Sequence, residues 1–144
     1  MTPTGQLVHE LYWNKDLNCA RTMLACLGER FTLAVARQTF QAAIGMHGAG
    51  RFRAQCGLVE GTLMFIGILG SEEGLSDKDI ENLCRLFAEE FTERFGSLLC
   101  RDLRPGGFQP SDPPHACESL TVQAVVFAQE FLQKRLPRTE THAG

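Results

Sequence analysis

An all-α, single-domain bundle of about five to six helices around a central apolar helix (about 53–69) is the fold that three observations predict. Apolar residues recur at three- and four-residue intervals along most of the chain, the helical period. β-branched residues are scattered, and alternation is never sustained long enough for a strand. From Leu58 to Leu69 every position except Glu60 and Thr62 is apolar or glycine. A helix of that composition must be covered on every side. With 144 residues, 44% of them hydrophobic, the chain can bury one proper core.

The elements follow in order. Leu7, Val8, Leu11 and Tyr12 form the stripe of a first helix from about Gly5 to Asn14. Asp16 or Asn18 can cap a second through Cys19, Met23, Cys26 and Leu27, ending near Gly28. Thr32 can cap a third, carrying Val35, Phe40, Ala43 and Ile44. The glycine-rich loop 45–51 leads into the central helix. Ser76, with Asp79 three residues on, starts a helix with the stripe Ile80, Leu83, Cys84, Phe87, Phe91 and Phe95, and Gly96 stops it. A short helical turn is expected around Cys100, then a proline- and glycine-rich loop. Asp112 is expected to cap the last helix, with Pro113 and Pro114 in its first turn and its end near Leu136. Residues 1–136 thus read as one helical domain and 137–144 as a frayed tail.

A net charge of −3 with scattered basic residues argues against nucleic-acid binding. The apolar stretch is shorter than the about 20 residues a membrane span needs, and Glu60 interrupts it. The N-terminus has neither the basic cap nor the apolar run of a secretory leader, so a cytoplasmic location is expected.

Six cysteines are many for such a protein, because disulfides are rare in the cytoplasm; metal ligation or redox chemistry gains weight. No two are spaced as Cys-x-x-Cys, so any shared site must be assembled by folding. Cys26 and Cys84 read as small buried hydrophobes. Cys19, Cys56 and Cys117 fall near predicted helix starts, where the partial positive charge favours a thiolate, and Arg51 and Arg53 precede Cys56. Cys100 has Arg101 beside it. Glu60 lies one turn after Cys56, placed to accept its proton or to offer an oxygen ligand. Gly57 and Gly61 suggest that another backbone packs closely there. His115 lies two residues before Cys117, and His47 sits in a loop that could form an anion-binding nest.

The cysteine pattern resembles that of the C_GCAxxG_C_C family, known as putative redox-active proteins. The matching residues are Asn18-Cys19-Ala20, the loop Gly45-Met46-His47-Gly48-Ala49-Gly50-Arg51, then Gln55-Cys56-Gly57-Leu58-Val59-Glu60-Gly61, Phe95-Gly96-Ser97-Leu98-Leu99-Cys100-Arg101 and His115-Ala116-Cys117. The likeness spans about residues 10 to 135. Gln55 stands where the pattern has glycine, Gly57 where it has alanine, and Glu60 where many members carry a small residue. A similar region occurs in split-Soret cytochromes c, where cysteines bind a [2Fe–2S] cluster beside the haems. This chain has no Cys-x-x-Cys-His, so covalent haem is not expected.

The resemblance implies an all-α bundle and a redox or metal role for Cys19, Cys56, Cys100 and Cys117. They would bind an iron–sulfur cluster or zinc, or cycle between dithiol and disulfide, exchanging electrons with an unnamed partner protein. Cys56 would be the central ligand or attacking thiolate and Glu60 its proton partner, which leaves oxidoreductase and electron carrier both open. The alternative is a non-catalytic interaction module: a homodimer built on the aromatic stripe, with structural cysteines. A cysteine nucleophile acting on a small organic substrate has no Cys–His arrangement in the sequence to support it.

Overall fold

The computed structural model describes residues 1–104, 106–107, 111–112 and 115–136. Pro113, Pro114 and the expected tail 137–144 lie outside the described residues. Helix α1 (Pro3–His9) is capped by Thr2, whose hydroxyl accepts from the Gly5 N–H at 3.0 Å, and runs on into a π segment (Glu10–Asn14). There follow α2 (Cys19–Arg30), α3 (Arg37–Ala42), a four-residue turn α4 (Gly48–Arg51), α5 (Gly57–Glu72), α6 (Asp77–Phe95), a short α7 (Cys100–Leu103) and α8 (Glu118–Arg135). Among the described residues no strand forms. An isolated bridge joins Gln55 to Leu99. The fold is therefore all-α, as expected.

No residue from Cys56 to Gly70 is exposed, because α5 packs against α2, α6 and α8. The α2–α5 contact is the most extensive in the molecule, and two glycines permit it. A Cβ at Gly57 would stand 2.8 Å from the Cys19 Cβ, and one at Gly61 would stand 2.5 Å from the Ala20 carbonyl oxygen. The close backbone approach expected at this pair is what the structure contains. Beyond it, Phe87, Phe91 and Phe95 of α6 meet Phe127 and Phe131 of α8, with the Phe87 and Phe131 rings edge to face at 5.2 Å. Phe87 and Phe91 are fully buried, so this end of the aromatic stripe serves the protein's own core.

Three boundaries differ from expectation, each for a local reason. Thr32 adopts a left-handed backbone (φ 51°) and cannot cap, so α3 starts later, after Ala36. The central helix begins at Gly57 because Gly48, Ala49, Gly50, Arg51 and Arg53 all have positive φ, which breaks the helix before Cys56. Asp112 pairs with Arg104 at 3.2 Å instead of capping, and α8 starts at Glu118 with Cys117 at its cap position. Ser76 and Gly96 end α6 as the sequence predicts: the Ser76 hydroxyl accepts from the Asp79 N–H at 3.2 Å, and Gly96 takes φ 93°.

Candidate functional site

Four cysteines occupy four helix starts. Cys19 is the first residue of α2, after Asn18, whose side chain caps the helix through the Arg21 N–H (2.9 Å) and ties it to the turn after α3 through the Ile44 carbonyl (2.8 Å). Cys56 and Cys117 hold the cap positions of α5 and α8, and Cys100 is the first residue of α7. Backbone pairing brings two of these starts together. The Cys56 N–H donates to Leu98 O at 2.8 Å, and the Cys100 N–H donates to Ala54 O at 2.7 Å. The left-handed run before Cys56 turns the chain into this pairing and sets Arg53 beside Cys100.

The four thiols feel one another. The charge on Cys19, Cys100 or Cys117 disfavours ionisation of Cys56, that on Cys19 or Cys100 disfavours it at Cys117, and that on Cys100 disfavours it at Cys19. All six pairings are thus within electrostatic reach, and Cys19 is the foremost thiol neighbour of both Cys56 and Cys117. Burial is the largest influence on each: it pushes Cys56 up to about 12 and Cys117 to about 11, and raises Cys19 and Cys100. The Arg104 guanidinium works the other way on Cys19, Cys100 and Cys117, and the Leu58 backbone N–H on Cys56. This corrects the expectation that helix starts and arginines would make low-affinity thiolates. Desolvation outweighs a partial charge confined to one helix turn.

A pH dependence follows. A buried thiol whose folded value lies above its unfolded value of 9.0 keeps its proton longer in the native state, so the native state binds more protons across that interval. Stability contributed by Cys26 and Cys56 is complete below pH 9 and is lost as pH rises through about 12. Urea midpoints measured from pH 8 upward should be flat to pH 9 and then fall. Replacing Cys26 with alanine should flatten the fall; an unchanged alkaline slope in that variant would contradict the assignment.

The remaining candidates are placed as follows. Glu60 is half-buried, and its carboxylate accepts from the Gln55 side-chain amide. Burial raises its proton affinity and Gln55 lowers it. His115 stacks on Tyr12, with ring centroids 4.7 Å apart and planes 11° apart, and its Nε2 lies 3.3 Å from Asp16. His47 heads the glycine loop, but the loop N–H groups are spent internally: Gly48 donates to Gln55 O, Gly50 to Gly45 O and Arg51 to His47 O. The expected anion nest is therefore closed. Cys26 is fully buried, and Cys84 directs its thiol to Leu63 O at 3.9 Å.

Tyr12 is the site residue that the sequence did not single out. It is 2% exposed, its hydroxyl lies 2.6 Å from the Thr121 hydroxyl, and it lowers the proton affinity of the Cys19 thiol. A buried tyrosine on an apolar stripe, where phenylalanine would pack as well, was the available signal.

Zinc or an iron–sulfur cluster would need several of these sulfurs drawn to one point. Among the described residues, no group of three or more His, Cys, Asp or Glu side chains is disposed to share a metal ion. As positioned, the four thiols are not drawn to the single point that a preformed metal centre needs.

Four of the six cysteines thus stand at helix starts of an all-α bundle. The chain belongs to the C_GCAxxG_C_C family, described as "Putative redox-active protein", which it matches over residues 17–131. No curated protein and no solved structure matches it. Among the described residues no helix is long and apolar enough to cross a membrane.

Proposed function

We propose that this protein carries out thiol–disulfide exchange through Cys19, Cys56, Cys100 and Cys117. The observation that carries the reading is that these four cysteines stand at four helix starts, with Cys56 and Cys100 drawn together by backbone pairing, while Cys26 and Cys84 lie within α2 and α6. In the exchange, a cluster thiolate attacks one sulfur of a small-molecule or protein disulfide and expels the other as a thiolate. A second cluster cysteine then attacks the mixed disulfide and releases the remaining thiol. Two electrons pass to the substrate disulfide, its two sulfurs leave as thiols carrying the two protons, and the protein keeps one new S–S bond. The high proton affinity of the thiols makes the reduced state slow to react at neutral pH.

The test is made on protein purified without oxygen. Iron, zinc and acid-labile sulfide are measured, and thiols are titrated before and after oxidation by glutathione disulfide. The expected result is sub-stoichiometric metal and a reversible loss of two thiols. Stoichiometric iron and sulfide, or zinc, would overturn the exchange reading in favour of a ligand set at the same four cysteines. Six thiols unchanged by oxidation, without metal, would leave the interaction-module alternative.

A further inference from the structure

We propose that the loop 44–53, with its exposed Phe52 between Arg51 and Arg53 and with Arg101 held against it, is the docking surface for an acidic protein partner. The proposal deepens the exchange reading by naming the kind of partner, and it takes its redox meaning from that reading. The docking itself requires no chemistry.

Among the described residues five large apolar side chains are exposed, and two of them, Ile44 (54%) and Phe52 (77%), flank the glycine-rich stretch 45–51. Arg51 and Arg53 stand on either side of Phe52 and are exposed, as is Arg101. The Arg101 N–H donates to Arg53 O at 3.4 Å, which brings the third arginine to the same loop. Among the described residues no ion pair engages Arg51 or Arg101. In a chain of net charge −3, residues 44–56 contain no aspartate or glutamate. The acids nearby in sequence are tied back: Glu60 accepts from Gln55, and Asp102 accepts from the Ser97 hydroxyl at 2.8 Å. Aromatic residues and arginine carry most of the binding energy at protein contacts, and a positive surround selects a negative partner. Anionic membranes are held by clusters of about 4–8 basic residues or a longer apolar face, so three arginines about one aromatic suit a protein contact.

The loop is built rigid. Ala49, Arg51 and Arg53 take left-handed backbones (φ 55°, 71° and 65°) without the glycine that this region favours. Such residues cost free energy and persist only where surrounding bonds hold them. Here Gly48 N–H donates to Gln55 O at 2.9 Å, Ala54 N–H to Gly48 O at 3.2 Å and Gly50 N–H to Gly45 O at 2.9 Å. Phe52 is thereby presented on a backbone that binding does not have to order. The same segment leads to the cysteines: Ala54 O accepts from the Cys100 N–H at 2.7 Å. Cys100 is half-buried and Cys56 buried, so a partner seated on Phe52 and the arginines meets Cys100 first.

The experiment is fluorescence anisotropy on the full, reduced chain with two labelled peptides that contain no cysteine. One carries glutamates around a pair of leucines; in the other, glutamines replace the glutamates. Neither can form a disulfide, so docking and exchange fail or succeed separately: exchange is read from the thiol count under glutathione disulfide, docking from anisotropy. The acidic peptide should bind at least about tenfold more tightly than the glutamine peptide. Its binding should weaken as salt shortens the screening length from about 10 Å at 0.1 M toward about 3 Å at 1 M. Phe52→Ala should weaken it about tenfold, the loss of an aromatic anchor, and Arg51→Glu combined with Arg101→Glu at least as much. These side chains are exposed, so the fold should be kept. Lys78→Glu, an exposed charge beyond the far end of α5, should leave binding unchanged.

Equal binding of the two peptides, an unchanged affinity in Phe52→Ala, or a loss in Lys78→Glu as large as in the arginine pair overturns the proposal. Two other occupants would also overturn it. A dimer in sedimentation velocity that Phe52→Ala dissolves would assign the patch to a second copy of the chain. Co-sedimentation with phosphatidylserine vesicles, lost in Phe52→Ala and unmatched by peptide binding, would assign it to a lipid surface.

Discussion

Cys19→Ser should abolish disulfide formation within the cluster, whereas Cys84→Ser should leave it intact. Cys19 is the foremost thiol neighbour of both Cys56 and Cys117 and is coupled to Cys100 as well. Its Cβ sits against the backbone of Gly57, the residue that follows Cys56. Serine keeps the size but cannot form the S–S bond, so the fold should survive. The thiol count of Cys19→Ser, five at the start, should stay at five under glutathione disulfide. Cys84 lies on α6 and bonds Leu63 O, and its thiol should count as free before and after oxidation. A full two-thiol loss in Cys19→Ser would move the centre of the site to Cys56 and Cys100.

Gly61→Ala should destabilise the protein by about 2 kcal/mol, net of the roughly 1 kcal/mol that alanine gains over glycine in a helix. The new methyl would stand 2.5 Å from Ala20 O and 3.0 Å from Ala20 Cα and Met23 Cβ. Two of those atoms are backbone of α2, so relief requires the helix itself to move, and Cys19 lies one residue from Ala20. Disulfide formation should weaken together with stability. Gly67, on the same helix, has nothing within 4 Å of a new Cβ. Gly67→Ala should therefore be neutral or stabilising by up to about 1 kcal/mol. Urea unfolding of the two variants compares the same substitution with and without the clash. Equal effects would show that the α2–α5 approach is looser than described.

Those two glycines also mark what the sequence makes legible. Gly57 and Gly61 sit four apart on a largely apolar helix, a local pattern with one common cause, and the close approach follows from it. The caps at Asn18 and Ser76 and the stop at Gly96 are equally local. So is the cysteine pattern, which carries the family on its own. What stayed hidden depends on partners distant in the chain. The direction of the thiol shifts is set by burial, which no helix-start argument can supply, and so the expected thiolates are protonated thiols. Tyr12 meets Thr121 from 109 residues away, a contact made only when the N-terminal helical segment packs on α8. Glu60 shares a helix with Gly57, yet Gln55, just before the helix, takes its carboxylate. The left-handed residues Ala49, Arg51 and Arg53 have no glycine to announce them, and they displace the start of the central helix by several residues.

The most direct test of the account is a disulfide map of the protein after oxidation by glutathione disulfide, read from non-reduced peptides. The account predicts a link between Cys19 and one of Cys56, Cys100 or Cys117, reversed by dithiothreitol, with Cys26 and Cys84 recovered as thiols. A link through Cys26 or Cys84, or six free thiols, would contradict it.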